Sequence, residues 1–172
     1  MDVMTAIKGR RSVRSFTDQP ADKEMLLKLL EAAVWAPSAG NSQTWRFVIV
    51  TEEAMMKKIK MVSPGLLGNP PAVIVIAQDM ALSKHKSGQM GPETLTKMDS
   101  AMAAQNIMLA AHTMGLGTCA IGSFHPGALA KLLGMPEQIV PHLMVTVGHP
   151  AVKPPPPKRL LKEVYWFEAY HG

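Results

Sequence analysis

The chain has 172 residues, 47% of them apolar, with 18 Lys and Arg against 13 Asp and Glu and a formal charge of +5. This size and balance predict one globular domain over residues 1–172 with a sizeable core, and a pI near 9.4 suits an acidic ligand. Only 18% of residues are charged, and no basic run is interleaved with aromatics, so nucleic acid ranks well below a small anion.

Cys119 is the only cysteine, which excludes an internal disulfide, and the six histidines fall in no close ligand spacing, so no metal site is expected. No eighteen apolar residues follow one another and the N-terminus has no signal-peptide pattern. The expectation is a soluble, cytoplasmic protein without a membrane span.

Asp2 to Lys8 reads as a short helix, and Arg10-Arg11-Ser12-Val13-Arg14-Ser15-Phe16 follows it. Three guanidiniums this close repel one another unless an anion lies between them, and each offers a planar fork of donors matched to phosphate oxygens. An oxyanion site and a solvated basic turn both fit the cluster, and Arg14 has a possible ion-pair partner in Asp18. After a turn at Thr17 to Pro20, Asp22 and Glu24 stand where a helix start favours negative side chains. The apolar face of that helix ends at Ala36-Pro37, because the residue before proline avoids the helical region.

A polar loop, Ser38 to Gln43, precedes an apolar strand from Trp45 to Thr51. Glu52 to Met61 reads as a short helix stopped by Ser63-Pro64-Gly65, and Ala72 to Ala77 as the clearest strand. From Asp79 to Gly91 periodicity is lost, which predicts a mobile connection. Met98 to Met114 predicts a central buried helix with Gly115 just past its end, Gly117 to Ile121 a strand, Pro126 to Leu133 a helix and Leu143 to Gly148 a strand. Four prolines between Lys153 and Lys158 form an extended arm, spanning roughly 12 Å in polyproline geometry. Lys158 and Arg159 close it, and would share one phosphate with the early arginines if the fold joins the two sets.

Two motifs lead elsewhere. Gly115-Leu116-Gly117-Thr118-Cys119-Ala120 matches a dinucleotide fingerprint in letters, but its glycines close a helix and open a strand, the reverse of the required order. Ser38 has no nucleophile elbow or nearby histidine, and reads as a hydrogen-bonding serine.

Four stretches together resemble the FMN-dependent nitroreductases: Arg10 to Phe16 as R-R-S-x-R-x-F, Ala36 to Phe47 as A-P-S-x-x-N-x-Q-x-W-x-F, Gly115 to Phe124 as G-L-G-x-C-x-I-G-x-F, and the late G-x-P followed by Lys158-Arg159. The resemblance spans nearly the whole chain. It implies an α+β fold with helices around a central, mainly antiparallel sheet, and a C-terminal arm extending to the partner of a homodimer with FMN at the interface. By resemblance Arg10, Arg11, Ser12 and Arg14 hold the phosphate, ribityl and pyrimidine side of non-covalent FMN, joined at the phosphate by Lys158 and Arg159. Pro37, Ser38, Ala39 and Asn41 reach the flavin from the partner, and Ile121, Gly122 and Ser123 line its ring.

The implied activity passes electrons from NADH or NADPH to a small nitroaromatic or quinone-like acceptor, with chemistry carried by FMN and no catalytic side chain. A specialised relative, such as a reductive dehalogenase or a flavin-cleaving enzyme, and a basic FMN-free nucleic-acid-binding protein are the alternative readings. Thr44 departs from the family pattern, which usually has proline there, and is expected to loosen the loop before the Trp45 strand. Asn69 has no clearer role than a turn residue.

Overall fold

A computed structural model describes residues 1–160 and 164–170. In chain order the elements are α1 (Val3–Gly9), α2 (Lys23–Val34), β1 (Trp45–Val50), α3 (Glu53–Met61), β2 (Ala72–Asp79), α4 (Met80–Ser87), α5 (Thr96–Thr113), β3 (Gly117–Ile121), α6 (Pro126–Leu132) and β4 (Ile139–Gly148). The strands form one sheet in the order β1-β2-β4-β3, with every pairing antiparallel. This is the α+β architecture that the resemblance implied.

Alternation along β2 divides the core. Ile74 and Ile76 point to one face with Leu26 and Leu29 of α2 and Ala103, Ile107 and Ala111 of α5. Val73 and Val75 point to the other, with Ile59 of α3, Leu129 of α6 and Met144 of β4. Because both faces are covered, β2 is a continuous apolar run instead of an alternating one. Burying a side chain such as Ile107 contributes about 1.5–3 kcal/mol, so the sheet is fixed mainly from its two faces.

Several local choices are visible in the sequence. Asp22 caps α2 by accepting from the Met25 N–H at 2.8 Å, and Asp2 does the same for Thr5 at 3.0 Å. Gly115 follows α5 with φ +78°, the left-handed step expected there.

Other expectations change. Residues 79–91 are largely helical and not an irregular connection: Asp79 accepts from the Leu82 N–H at 2.9 Å and starts α4, and Gly91 opens a π-helical turn, Gly91–Leu95, running directly into α5. Its periodic signal is absent because only Ser83 of α4 is buried and its last turn is basic. Strand β4 also begins earlier than Leu143. Its pairing slips between Ile76 and Ala77, which face Leu143 and Pro141, and β3 pairs only from Met144 onward. Pro141 is therefore tolerated at a bulge where no second neighbour needs its missing N–H.

Thr44 does not loosen its loop. It is fully buried, and its hydroxyl donates to Gln78 Oε1 at 2.7 Å, while Gln78 Nε2 donates to Ser100 Oγ at 2.9 Å. The Asp79 N–H also donates to the Thr44 carbonyl at 2.8 Å. A hydrogen-bonded lock stands where a proline was expected.

Candidate functional site

Beyond α1, the segment from Ser12 to Thr17 lies extended along the end of the sheet. Val13 N–H donates to the Thr118 carbonyl at 2.8 Å, Thr17 N–H to that of His149 at 2.9 Å, and Ala151 N–H to that of Ser15 at 3.0 Å. Gly117 and Gly148 admit this segment, since a Cβ on Gly117 would stand 2.8 Å from Val13 and one on Gly148 2.9 Å from Phe16. The motif around Arg10 to Phe16 is thus pinned between the start of β3 and the end of β4.

The proline-rich segment returns over this motif. Arg10, Arg11, Ser12 and Arg14 line a cavity of about 320 Å³ together with Pro154, Pro155, Pro157 and Arg159. Arg159, distant in sequence, therefore joins the early arginines, as their shared chemistry suggested. Lys158 is exposed and does not line this cavity.

No carboxylate among the described residues lines the cavity. The ion pairs among the described residues lie elsewhere: Lys28–Glu24, Arg46–Asp79 and Lys57–Glu53. Arg14 is accordingly not paired with Asp18. Arg11 turns Nη1 back on the carbonyls of Lys8 at 2.7 Å and Arg10 at 2.8 Å. The Nε atoms of Arg10 and Arg11 are buried without a hydrogen-bond partner among the described residues. An unpaired buried donor costs about 1–3 kcal/mol, more when charged, so this arrangement is incomplete without an acceptor.

A second cavity of about 180 Å³ shares Arg10, Arg11 and Pro154, and adds His112 and Lys153. Gly9 lets the imidazole close in: a Cβ there would stand 2.5 Å from His112 Nε2. Burial, then the charges of Lys153, Arg11 and Arg10, hold the His112 pKa below its ordinary value. His112 and Lys153 carried no motif, and only the fold brings them to the arginines.

Two further segments meet the arginine motif. Gly68, at φ +72°, lies so close to the Arg14 carbonyl that a Cβ would stand 2.1 Å from its oxygen. Gly65 N–H donates to the Ser123 carbonyl at 3.0 Å, and its own Cβ position is 3.0 Å from Ile121. A continuous path thus runs from Arg14 through residues 65–68 to Ile121, Gly122 and Ser123. Ile121 is buried, whereas Gly122 and Ser123 are exposed. Asn69 is occupied by Lys60, whose Nζ donates to its Oδ1 and to the Gly68 carbonyl, both at 3.0 Å.

The loop holding Pro37, Ser38, Ala39 and Asn41 does not line the arginine cavity. It forms a 3-10 turn, Ala39–Asn41, with Pro37 and Asn41 exposed. A larger groove of about 440 Å³ beside α3 carries Asp18 and Glu53 as well as Lys57 and Lys60. Its charges cancel, whereas the two cavities that share Arg10 and Arg11 carry an excess of basic side chains.

Residues 7–64 and 57–149 match the model of the nitroreductase family. The chain is 33% identical over 160 residues to a Methanothermobacter thermautotrophicus protein named as a candidate NADH dehydrogenase/NAD(P)H nitroreductase, covering 90% of this chain and 80% of that one. It is 29% identical over 177 residues to the FMN reductase [NAD(P)H] of Bacillus subtilis, covering 94% and 71%. In structure it resembles a nitroreductase candidate from Exiguobacterium sibiricum solved in complex with FMN, with a TM-score of 0.86, 23% identity and 98% of each chain covered. The fold, the family match and these identities agree: the chain belongs to the nitroreductase family.

Proposed function

We propose that this chain is an FMN-dependent oxidoreductase that passes electrons from NADH or NADPH to nitroaromatic or quinone-like acceptors. Its enzyme class is that of its relatives, NAD(P)H-dependent oxidoreductases using FMN. The observation that carries the reading is the arginine cavity, lined by no carboxylate among the described residues, whose Arg10 and Arg11 carry buried Nε donors without an acceptor among those residues. A phosphate monoester fits that donor set: it is dianionic, and planar guanidinium forks grip its oxygens.

Arg10, Arg11, Ser12 and Arg159 would hold the phosphate, with Lys158 beside them. Arg14, which pairs with no carboxylate among the described residues, would face the pyrimidine side, where its guanidinium favours negative charge. Ile121, Gly122 and Ser123 would support the ring. When bound, FMN supplies hydride acceptance from the nicotinamide and electron delivery to the acceptor. The chain's own part is to bind, orient and polarise, and no side chain is assigned as acid or base.

The active form is a homodimer. Neighbouring helices α1, α2 and α5 leave Val3, Met4, Ile7, Leu27, Val34, Met98 and Met102 exposed, and Trp35 is 80% exposed. Apolar surface of this extent suits a second copy of the chain. The C-terminal arm would lie on that copy, giving Tyr165, Trp166, Phe167 and Tyr170 an apolar surface. They are exposed here and stack mainly on one another. The loop of Pro37, Ser38, Ala39 and Asn41 would then complete the partner's flavin site. No described helix is long and apolar enough to cross a membrane, and a cytoplasmic enzyme would have its nicotinamide donors at hand.

The test is the visible spectrum of the purified protein, followed by steady-state oxidation of NADH and NADPH with nitroaromatic and quinone acceptors. The expected result is a yellow protein that releases FMN on denaturation and turns over with at least one donor. A colourless protein that binds no FMN and retains nucleic acid would reverse the reading.

A further inference from the structure

The loop between α2 and β1 is held more firmly than an exposed connection requires. Gly40 (φ 56°), Asn41 (φ 51°) and Gln43 (φ 50°) all occupy the left-handed region. For the two residues with side chains this costs free energy, which the surroundings must offset. Two other elements provide the contacts. Asp99, in the first turn of α5, accepts the Ala39 N–H on Oδ1 at 3.2 Å. Lys86, in the last turn of α4, donates from Nζ to the Ser42 carbonyl at 2.8 Å. Inside the loop, Gln43 N–H donates to Ser38 Oγ at 3.1 Å and Gln43 Nε2 to Asn41 Oδ1 at 2.9 Å.

Asp99 is only 2% exposed and takes part in no ion pair among the described residues. Burial pushes its pKa up, and the Ala39 N–H is the group that draws it down. A buried side chain of this kind needs a hydrogen-bond partner, and an apolar residue in its place would leave the Ala39 N–H without this acceptor. Its hydrogen bond ends on the loop that leaves Pro37 and Asn41 exposed, and nothing among the described residues covers their outer side.

We infer that Asp99 and Lys86 form a two-sided clamp that presets the loop 38–43 for the flavin of a second copy, both acting as positioning residues. This rests on the reading that the loop faces FMN. The clamp acts at the ring and ribityl end and not at the phosphate, so its loss affects FMN and riboflavin alike. That separates it from the arginines, which discriminate between the two.

Asp99→Ala removes the acceptor, Asp99→Asn keeps an amide oxygen in its place, and Lys86→Ala removes the other tether from an exposed side chain. Titration of the apoprotein with each flavin should show Asp99→Ala weaker for both by the same factor, roughly tenfold to a hundredfold. Lys86→Ala should lose roughly threefold to tenfold for both, and Asp99→Asn should stay within about threefold of wild type. Unchanged affinity in either alanine variant, or equal loss in Asp99→Asn and Asp99→Ala, overturns the clamp. If Asp99→Ala does not fold, Lys86→Ala and Asp99→Asn decide by the same criteria. A wild-type protein that binds neither flavin would instead sink the FMN reading itself.

Discussion

Thr44, Gln78, Ser100 and Thr96 make a buried polar chain that closes within the protein. Each hydroxyl or amide donor finds an acceptor, down to Ser100 Oγ on the Thr96 carbonyl at 2.8 Å. Around Arg10 and Arg11 the opposite holds: among the described residues, the buried Nε donors have no partner and no carboxylate lines the cavity. Both regions place polar groups out of water. The first is satisfied within the chain and is scaffold, whereas the second leaves donors without a partner among the described residues, which is where the proposed phosphate would bind.

Gln78→Leu should break the scaffold without touching the site. It strands the Thr44 hydroxyl and removes a partner of Ser100, which costs about 2–4 kcal/mol. Chemical denaturation should show that loss, with FMN affinity of the folded protein unchanged. A parallel drop in affinity would mean that the two regions are coupled.

Arg10→Ala should do the reverse. Losing charge-assisted bonds to phosphate costs about 1.5–3 kcal/mol, or roughly ten- to a hundredfold in FMN affinity. Riboflavin should bind within about threefold of its wild-type affinity, and folding stability should hold or rise as the unpartnered donor disappears. Equal loss of both flavins would remove the phosphate from the account.

The smallest effect is in pH. Burial holds His112 and His142 below the ordinary imidazole value of 6.5, so the unfolded chain binds more protons in that window. Their contribution to stability is therefore present above pH 6.5 and declines as pH falls through the lowered folded pKa values. Asp99 runs the other way: its raised pKa contributes stability below 3.8 that is lost as pH rises through the folded value. A denaturation series across pH should show the histidine slope flatten in His112→Gln. Phosphate on the arginines would also cancel part of the charge that depresses His112. Wild-type protein should then take up more protons on binding FMN than His112→Gln, measured calorimetrically in buffers of different ionisation enthalpy.

How much of this could be read in advance depends on where the signal sits. The Asp22 cap, the apolar run of β2 and the two separated basic sets were legible, because each is local or repeats a known chemistry. The meeting of Arg10 with Arg159 was legible only as a condition, and the fold meets it. Helix α4 was hidden because it buries little besides Ser83, and Pro141 disguised the start of β4. Gln78 and Asp99 were missed for a different reason. Each is a polar residue inside a strong element, and its meaning depends on a partner from another part of the chain, Thr44 in one case and Ala39 in the other.

The central claim is that the open arginines are completed by a phosphate. Titration of the wild-type apoprotein with FMN and with riboflavin, under identical salt and pH, tests it most directly. The expected result is one FMN per chain, bound roughly a hundredfold more tightly than riboflavin. Equal affinity for the two flavins would contradict it.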